Sequence, residues 1–212
     1  MSQFAAALLV INKSYVYAII LTVRIQQNLI ISRQCWINKP RFSDSLRPWL
    51  VDDGSLTSRL QKRYTNFSVK VVVIKYAKPI QDEAALLRQA SHKTALIREV
   101  LLIGDNQPVI FAHSVLPRTS LRGSWNGLGR LGNKPLGATL FANPKVKRTP
   151  LSYKKLRSKH TLYKHAMQHL TQVATTEKPS YLWARRSIFS LNRANIMVTE
   201  VFLPQLLVKS TA

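Results

Sequence analysis

Two charged residues lie within segments whose neighbours are almost all apolar, and they are the residues of this chain best placed for chemistry. Arg98 interrupts the apolar run 96–103, and Glu200 interrupts the run 196–203. Both runs are short, rich in aliphatic residues and bounded by turn residues, which predicts β-strands. Because side chains alternate between the faces of a strand, each charge shares its face with apolar neighbours. A charge in that position is costly unless it is paired and hydrogen-bonded.

This placement allows two interpretations. In the first, Arg98 and Glu200 form a structural salt bridge with each other. In the second, they lie at the two ends of one pocket, with a cation at one end and a carboxylate at the other. Structural ion pairs also occupy such positions, so the spacing alone favours the salt bridge.

Composition narrows the class of protein. The chain has 212 residues, 46% of them hydrophobic, which suits one domain with a sizeable core. Its formal net charge of +23 concentrates anions at its surface, whether nucleic acid, an acidic membrane face or a small polycarboxylate. Cys35 is the only cysteine, which excludes an intrachain disulfide and fits a reducing compartment, so we expect a cytoplasmic protein. There is no zinc-type Cys/His spacing and no Walker loop, and we expect no metal.

The elements that must position these residues can be read from hydrophobic periodicity and turn signals. Two hairpins are predicted, over 96–116 and 187–203, with a further strand over 67–76. Asp44 and Ser55 are candidate N-caps for helices that end near Leu50 and Tyr64. The other predicted helices cover 82–90, 135–141 and, within the basic polar segment 145–178, residues 161–174; the glycine-rich stretch 123–137 is interpreted as a mobile loop. Together they predict an α+β fold, a mainly antiparallel sheet with helices packed on it.

The first 42 residues differ from the rest. Residues 4–23 are rich in apolar side chains, but Asn12, Lys13 and Ser14 interrupt them, and no basic start or small-residue cleavage site marks a signal peptide. We expect residues 1–42 to be an N-terminal extension that is poorly ordered or not native, with a membrane-surface anchor as the alternative. The folded domain is expected to span residues 43–212.

Five short blocks carry a resemblance to a known family. They are Trp-Leu-Val-Asp-Asp-Gly-Ser-Leu-Thr at 49–57, Leu-Ile-Arg-Glu-Val-Leu-Leu at 96–102 with Val-Leu-Pro at 115–117, Leu-Gly-Asn-Lys-Pro-Leu-Gly at 131–137 with Leu-Phe at 140–141, Leu-Trp-Ala-Arg-Arg-Ser at 182–187, and Thr-Glu-Val-Phe-Leu-Pro at 199–204. In this order, over roughly residues 43–206, they resemble chorismate lyase. The chain departs from the family at Ala184, where glycine is usual, in residues 1–35, and in a longer segment 145–178.

The resemblance implies a single domain with a six-stranded, mainly antiparallel sheet and an enclosed pocket under helical flaps. It also implies that no metal and no cofactor is used. The family's ring-carboxylate site falls on Arg98 and on the backbone N–H groups of Leu56 and Leu136, and its hydroxyl-binding carboxylate falls on Glu200. Arg98 and Glu200 are then the catalytic pair, so the resemblance favours the pocket over the salt bridge.

The activity implied is that of a carbon–oxygen lyase. A chorismate lyase removes pyruvate from chorismate and leaves 4-hydroxybenzoate, in the first committed step of ubiquinone biosynthesis. Arg185 and Arg186 form a second basic pair near Glu200. Either one of them contacts the enolpyruvyl carboxylate of the substrate, or one pairs with an acid at the sheet edge while the other is solvated.

Two other functions remain open from the sequence. One is a non-enzymatic, ligand-sensing domain of the same fold, which in transcription regulators is normally fused to a helix-turn-helix domain. The other is a basic nucleic-acid-binding protein, although no recognised nucleic-acid motif is present and basic residues do not alternate with aromatic ones. We therefore expect chorismate and 4-hydroxybenzoate as small-molecule partners, no nucleic acid, at most a weak membrane-surface association, and a monomer.

Overall fold

One antiparallel sheet organises the part of the chain that the computed structural model describes, residues 35–41, 43–170 and 178–208. Within these residues the strands are β1 (Phe67–Ala77), β2 (Ala95–Gly104), β3 (Gln107–Pro117), β4 (Lys147–Arg148), β5 (Ser152–Arg157), β6 (Tyr181–Leu191) and β7 (Ala194–Phe202). Their spatial order is β1-β2-β3-β7-β6, and both β4 and β5 pair with β6.

Short helices connect and cover the strands. They are α1 (Arg47–Leu50), α2 (Leu56–Arg63), α3 (Gln81–Leu86), α4 (Arg118–Arg122), α5 (Leu136–Ala142) and α6 (Thr161–Met167), with 3₁₀ turns at Asp44–Leu46, Leu128–Arg130 and Pro204–Leu207. The Ser55 hydroxyl accepts a hydrogen bond from the Ser58 N–H at 3.3 Å, which confirms the predicted cap of α2. The α+β class predicted from the sequence is confirmed.

Both predicted hairpins are present. Asp105 and Asn106 connect β2 to β3 with φ values of 46° and 65°. Asn192 and Arg193 connect β6 to β7 with φ values of 48° and 65°. Two consecutive residues at positive φ form the tight turn that matches the twist of a hairpin, and Asn and Asp tolerate this conformation well.

The sheet has seven strands in the described residues rather than the six expected, because segment 145–178 contributes two. β4 is only two residues long, and β5 buries Tyr153 and Leu156 among basic neighbours that hide its pattern in the sequence. Its Tyr153 also exchanges two backbone hydrogen bonds, each 2.8 Å, with Ile37. Helix α6 ends at Met167, short of the predicted end at 174, and residues 171–174 lie outside the described residues.

Helices cover both faces of the sheet. Leu56 and Leu60 of α2 pack on one face with Val100 and Leu102 of β2. On the opposite face, Leu87, which follows α3, packs on a cluster formed by Ala95, Ile97, Val115 and Met197. The two faces therefore have separate cores and separate polar residues.

The glycine-rich stretch 123–137 is more regular than the loop that was predicted. It contains the 3₁₀ turn Leu128–Arg130, and Trp125 and Leu128 are buried in a core cluster with Leu136. The Trp125 indole N–H donates to the Ala194 carbonyl at 2.8 Å, which fixes this stretch against β7. Residues 1–34 of the predicted extension lie outside the described residues. No helix among the described residues is long and apolar enough to cross a membrane.

Candidate active site

The strand register brings Arg98 and Glu200 onto the same face of the sheet. Arg98 of β2 lies opposite Ser114 of β3, which lies opposite Val198 of β7, which in turn lies opposite Ser187 of β6. Glu200 lies two residues beyond Val198 on β7. With strands about 4.8 Å apart and a rise of about 3.4 Å per residue, the Cα atoms of Arg98 and Glu200 are roughly 12 Å apart.

Both charges line one pocket. Sheet residues form its floor, and residues of α2 and α5 cover it, so these two helices are the flaps of the site. Its wall consists mainly of apolar side chains, among them Val69, Val100, Leu102, Leu140, Phe141 and Phe189. The cavity volume is ≈ 40 Å³. That is room for a few water molecules and not for an aromatic acid, so a ligand of that size can enter only if the flaps move.

Arg98 lacks a counter-ion among the described residues. Its side chain is buried, with the residue 2% exposed, and Nη2 donates to the carbonyls of Gly132 and Lys134 at 2.9 Å each. Among the residues that the structure describes, no carboxylate pairs with its guanidinium, and its buried Nε has no hydrogen-bond partner. Burial lowers the pKa of Arg98. A buried cation without a counter-ion is costly, so this environment favours the binding of an anionic ligand.

Arg98 and Glu200 form no salt bridge with each other in the described residues, so the interpretation that spacing alone favoured is not supported. Glu200 pairs with Arg185, its direct neighbour across β6 and β7, whose Nε donates to Glu200 Oε2 at 2.5 Å. The Arg185 side chain is fully buried, and its Nη1 donates to the carbonyls of Trp49, Leu50 and Asp52. Arg185 thereby joins Glu200 to the end of α1.

The N-terminal ends of the two flap helices, α2 and α5, lie at the pocket. Leu56 is the first residue of α2, and Leu136 is the first residue of α5; both line the pocket. Backbone N–H groups in the first turn of a helix have no acceptor within that helix. The two starts also lie close together, because a Cβ added at Gly137 would come within 3.1 Å of the Thr57 hydroxyl oxygen. The structure therefore brings Arg98, Leu56 and Leu136 to one pocket.

The second basic pair does not line this pocket. Arg185 is held as described, and Arg186 points to the other face of the sheet, where its Nη1 donates to Asp82 Oδ2 at 2.6 Å. Neither arginine belongs to the pocket wall, so the candidate role of either one as a second carboxylate contact is not supported by their positions. Neither is solvated, because both are buried.

The sequence reasoning missed one cation on the pocket wall, Arg148 of β4. It lies in a two-residue strand within a basic polar segment, where no hydrophobic periodicity distinguishes it from its neighbours. No signal in the single sequence would have separated it from the other arginines and lysines of segment 145–178.

A separate cluster of ionisable side chains lies on the opposite face of the sheet. His113 Nδ1 and His165 Nδ1 each lie 2.9 Å from Glu99 Oε1, and His113 Nε2 lies 3.3 Å from Glu83 Oε1. Burial alone would lower the pKa of His113, but the two carboxylates outweigh it and raise the pKa to about 9. Burial alone would raise the pKa of Glu99, but the two histidines outweigh it and lower the pKa. In the described ranges no group of three or more His, Cys, Asp or Glu residues is arranged to hold a metal ion.

Comparison with known proteins gives a consistent result. The sequence profile of the family described as Chorismate lyase matches residues 30–212. A probable chorismate pyruvate-lyase from Thiobacillus denitrificans is 47% identical over 77% of this chain and 84% of its own length. One from Nitrosospira multiformis is 48% identical over 78% of this chain and 89% of its own length. Among solved structures, a GntR-family transcriptional regulator from Bacillus cereus is similar over 70% of this chain and 99% of its own, with a TM-score of 0.49 and 14% identity.

Proposed function

The chain belongs to the chorismate lyase family, and from this premise we propose that its pocket binds chorismate and removes pyruvate from it, which leaves 4-hydroxybenzoate, the precursor that the family supplies to ubiquinone biosynthesis. The observation that carries the proposal is the buried guanidinium of Arg98, which faces the pocket without a carboxylate partner among the described residues. A carboxylate on a small ring-shaped ligand would supply the missing charge.

Arg98 is the proposed anchor for the ring carboxylate. A planar guanidinium can hold a carboxylate with two parallel hydrogen bonds, and such charge-assisted bonds are stronger than neutral ones. Both paired arrangements of a guanidinium use Nη2, which in Arg98 is already occupied by two backbone carbonyls. Nε and Nη1 are therefore left to donate single charge-assisted hydrogen bonds to the ligand carboxylate. The N–H groups of Leu56 and Leu136, at the starts of the flaps, would complete this anion site.

Glu200 is the proposed partner of the ring hydroxyl. Arg185 holds its Oε2, which leaves Oε1 to accept a hydrogen bond in the pocket. In chorismate the ring carboxylate and the hydroxyl lie on opposite sides of the ring. A cation at one end of the pocket and a carboxylate at the other match that pattern, with the apolar wall of the pocket around the ring.

The reaction needs little chemistry from the protein. The bond between the ring and the ether oxygen breaks, the hydrogen on the neighbouring, hydroxyl-bearing carbon leaves as a proton, and the ring becomes aromatic. The three-carbon unit leaves as enolpyruvate and takes up a proton to become pyruvate. Aromatisation supplies the driving force, so binding, orientation and stabilisation of developing charge are the contributions left to the side chains.

Closure of the flaps would also help to orient the substrate and to stabilise developing charge. The cavity is far smaller than the substrate, so binding is coupled to movement of α2 and α5. Arg98 contributes to this coupling, because the carbonyls that it holds belong to the loop that leads into α5. Once closed, the flaps would exclude water and strengthen each charged contact inside.

The test is incubation of the full chain with chorismate, followed by quantification of 4-hydroxybenzoate and pyruvate. We expect the two products in equal amounts, without added metal or cofactor. Saturable chorismate binding without turnover would instead favour the ligand-sensing alternative. Inhibition of binding by excess polynucleotide would favour a nucleic-acid-binding protein, because polynucleotide cannot enter a small closed pocket.

We also propose a compartment, an oligomeric state and a membrane association for the protein. A reducing cytoplasm suits Cys35, which is exposed and unpaired as a thiol. A monomer is proposed because one chain supplies both ends of the pocket. The net charge of +23 would allow a weak association with an acidic membrane surface.

A further inference from the structure

Arg148 is held at the pocket wall by two hydrogen bonds and two aromatic rings. Its Nε donates to the Ser187 hydroxyl at 2.8 Å, and its Nη1 donates to the Asp53 carbonyl at 2.6 Å. Its guanidinium carbon lies 5.4 Å from the ring centre of Phe141 and 5.1 Å from that of Phe189. The guanidinium is therefore oriented before any ligand arrives.

The charge of Arg148 has no direct counter-ion in the described part of the chain. No carboxylate forms a salt bridge with it there, and its Nη2 donates to none of the described residues. Burial is the largest influence on its pKa and lowers it, while Glu200 is the strongest of the charges that act against this effect. Arg148 lies at the Glu200 end of the pocket, because the Asp53 carbonyl that it holds directly follows the Asp52 carbonyl held by Arg185, the partner of Glu200. Like Arg98, it has no carboxylate partner among the described residues.

The shape of chorismate places a second carboxylate at this end. Its enolpyruvyl group is attached to the ring carbon beside the one that bears the hydroxyl. If the ring carboxylate is held at Arg98 and the hydroxyl at Glu200, the enolpyruvyl carboxylate must lie on the Glu200 side. We propose that Nη2 of Arg148 binds this second carboxylate and so selects the dianionic substrate; the proposal rests on the function proposed above.

This assignment replaces the pair considered from the sequence. Arg185 uses Nε and Nη1 for Glu200 and for backbone carbonyls, and Arg186 lies on the other face of the sheet with Asp82. Arg148 differs from both in lining the pocket. It also provides a positive charge where the departing enolpyruvate accumulates negative charge as the ether bond breaks.

If Arg148 binds the second carboxylate, it distinguishes the substrate from the product. Once pyruvate has left, 4-hydroxybenzoate keeps the groups that contact Arg98 and Glu200 but has nothing for Arg148. Replacement of Arg148 should therefore weaken substrate recognition and leave product affinity unchanged. Replacement of Arg98 should weaken both.

The experiment compares Arg148→Gln with Lys147→Gln, a matched loss of charge at the adjacent, exposed position of β4. Each variant is assayed for kcat/KM with chorismate. Calorimetry gives its affinity for 4-hydroxybenzoate and for 3-(carboxymethoxy)-4-hydroxybenzoate, a stable aromatic mimic with a second carboxylate at the same ring position. We expect Arg148→Gln to lower kcat/KM and the mimic's affinity by roughly 10- to 150-fold, the cost of a hydrogen bond to a charged group. Its affinity for 4-hydroxybenzoate should equal that of the parent, and Lys147→Gln should match the parent throughout.

Other outcomes are equally informative. Equal losses for product and mimic would show that Arg148 only maintains the shape of the pocket, and unchanged values for all three would show no contact; either result overturns the proposal. Arg148→Lys, which keeps the charge, should restore part of the mimic's affinity, and no restoration would also count against it. Mimic binding that depends on Arg148 in a parent chain that does not turn over chorismate would refute the proposed activity while the carboxylate subsite stands.

Discussion

The two faces of the central sheet carry charges of opposite character. On the pocket face, Arg98 has backbone carbonyls as partners but no carboxylate among the described residues. One residue along the same strand, Glu99 faces the other way and is contacted by His113 and His165. In the described residues the opposite face thus compensates its buried charges internally, whereas the pocket face pairs Arg185 with Glu200 but leaves Arg98 and Arg148 for a ligand.

A buried charge is not by itself the mark of a binding site. What distinguishes a binding site from a structural network is whether an opposite charge of the protein pairs with the buried one. The histidine–glutamate cluster draws α3, β2, β3 and α6 together through Glu83, Glu99, His113 and His165. Removing one member of such a cluster strands the others without a partner. Removing Arg98 strands no carboxylate, and the two carbonyls that it holds belong to exposed residues that water can reach, so the cost should appear mainly in ligand binding.

The largest effect is expected from Arg98→Met, which removes the pocket cation but keeps much of the side-chain volume. Loss of the charged partner of the ring carboxylate should lower kcat/KM for chorismate by about 10²–10³-fold. The free energy of unfolding, measured by urea denaturation, should change little. A large loss of stability with near-normal kinetics would reverse the roles assigned to the two faces.

His113→Leu tests the opposite face. Glu99 and Glu83 would lose their shared buried partner, which should lower the free energy of unfolding by roughly 3–5 kcal/mol. Because His113 does not line the pocket, KM for chorismate should stay at the parent value in the fraction that is folded. Urea denaturation and steady-state kinetics on the same preparation separate these effects, and a raised KM with unchanged stability would contradict the assignment.

The pH dependence of stability sharpens the contrast. The pKa of His113 is raised from 6.5 to about 9 in the folded chain, so its contribution is fully present below 6.5 and is lost as the pH rises through about 9. Near 1.4 kcal/mol per pKa unit, the loss is about 3 kcal/mol. Glu99 has a lowered pKa, so its contribution is lost in the other direction, as the pH falls below 4.5. Urea midpoints from pH 6 to 9.5 should show the alkaline loss in the parent and not in His113→Leu; parallel curves would exclude His113 as its source.

Glu200→Gln tests the residue that belongs to both kinds of environment, since Glu200 lines the pocket and also neutralises Arg185. The amide can still accept a hydrogen bond from the ring hydroxyl, so we expect kcat/KM to fall by about 10- to 100-fold. The buried Arg185 loses its counter-ion, so stability should fall as well. Steady-state kinetics without urea and at low temperature, where the variant is folded, give kcat/KM. Complete loss of turnover with product affinity retained would instead assign Glu200 a proton-transfer role.

Much of the fold could be predicted because its signals are local. Asp105–Asn106 and Asn192–Arg193 mark the two hairpins, and Ser55 marks the start of α2. The strands β4 and β5 were not predicted, because basic residues in segment 145–178 obscure the two apolar positions of β5, Tyr153 and Leu156. Their pairing with β6 depends on contacts between distant parts of the chain, which periodicity does not encode.

The site was predicted in part for a similar reason. Arg98 and Glu200 stand out because each is a charge in an apolar strand, but Glu99 satisfies the same rule and belongs to the other face. The sequence does not show which charges are compensated, because the partners come from other elements. Arg148 was missed because nothing local distinguishes it, and the buried role of Arg185 depends on carbonyls more than 130 residues away.

The role of Arg98 as the carboxylate anchor is tested most directly by calorimetric titration of 4-hydroxybenzoate into the parent chain and into Arg98→Met, with the urea midpoint of each measured in the same buffer. We expect one bound ligand per parent chain, an affinity weakened by about 100-fold or more in the variant, and equal urea midpoints. Equal affinities would show that Arg98 is not the carboxylate anchor. A variant that loses its fold would show that the pocket cation is as structural as the charges on the opposite face.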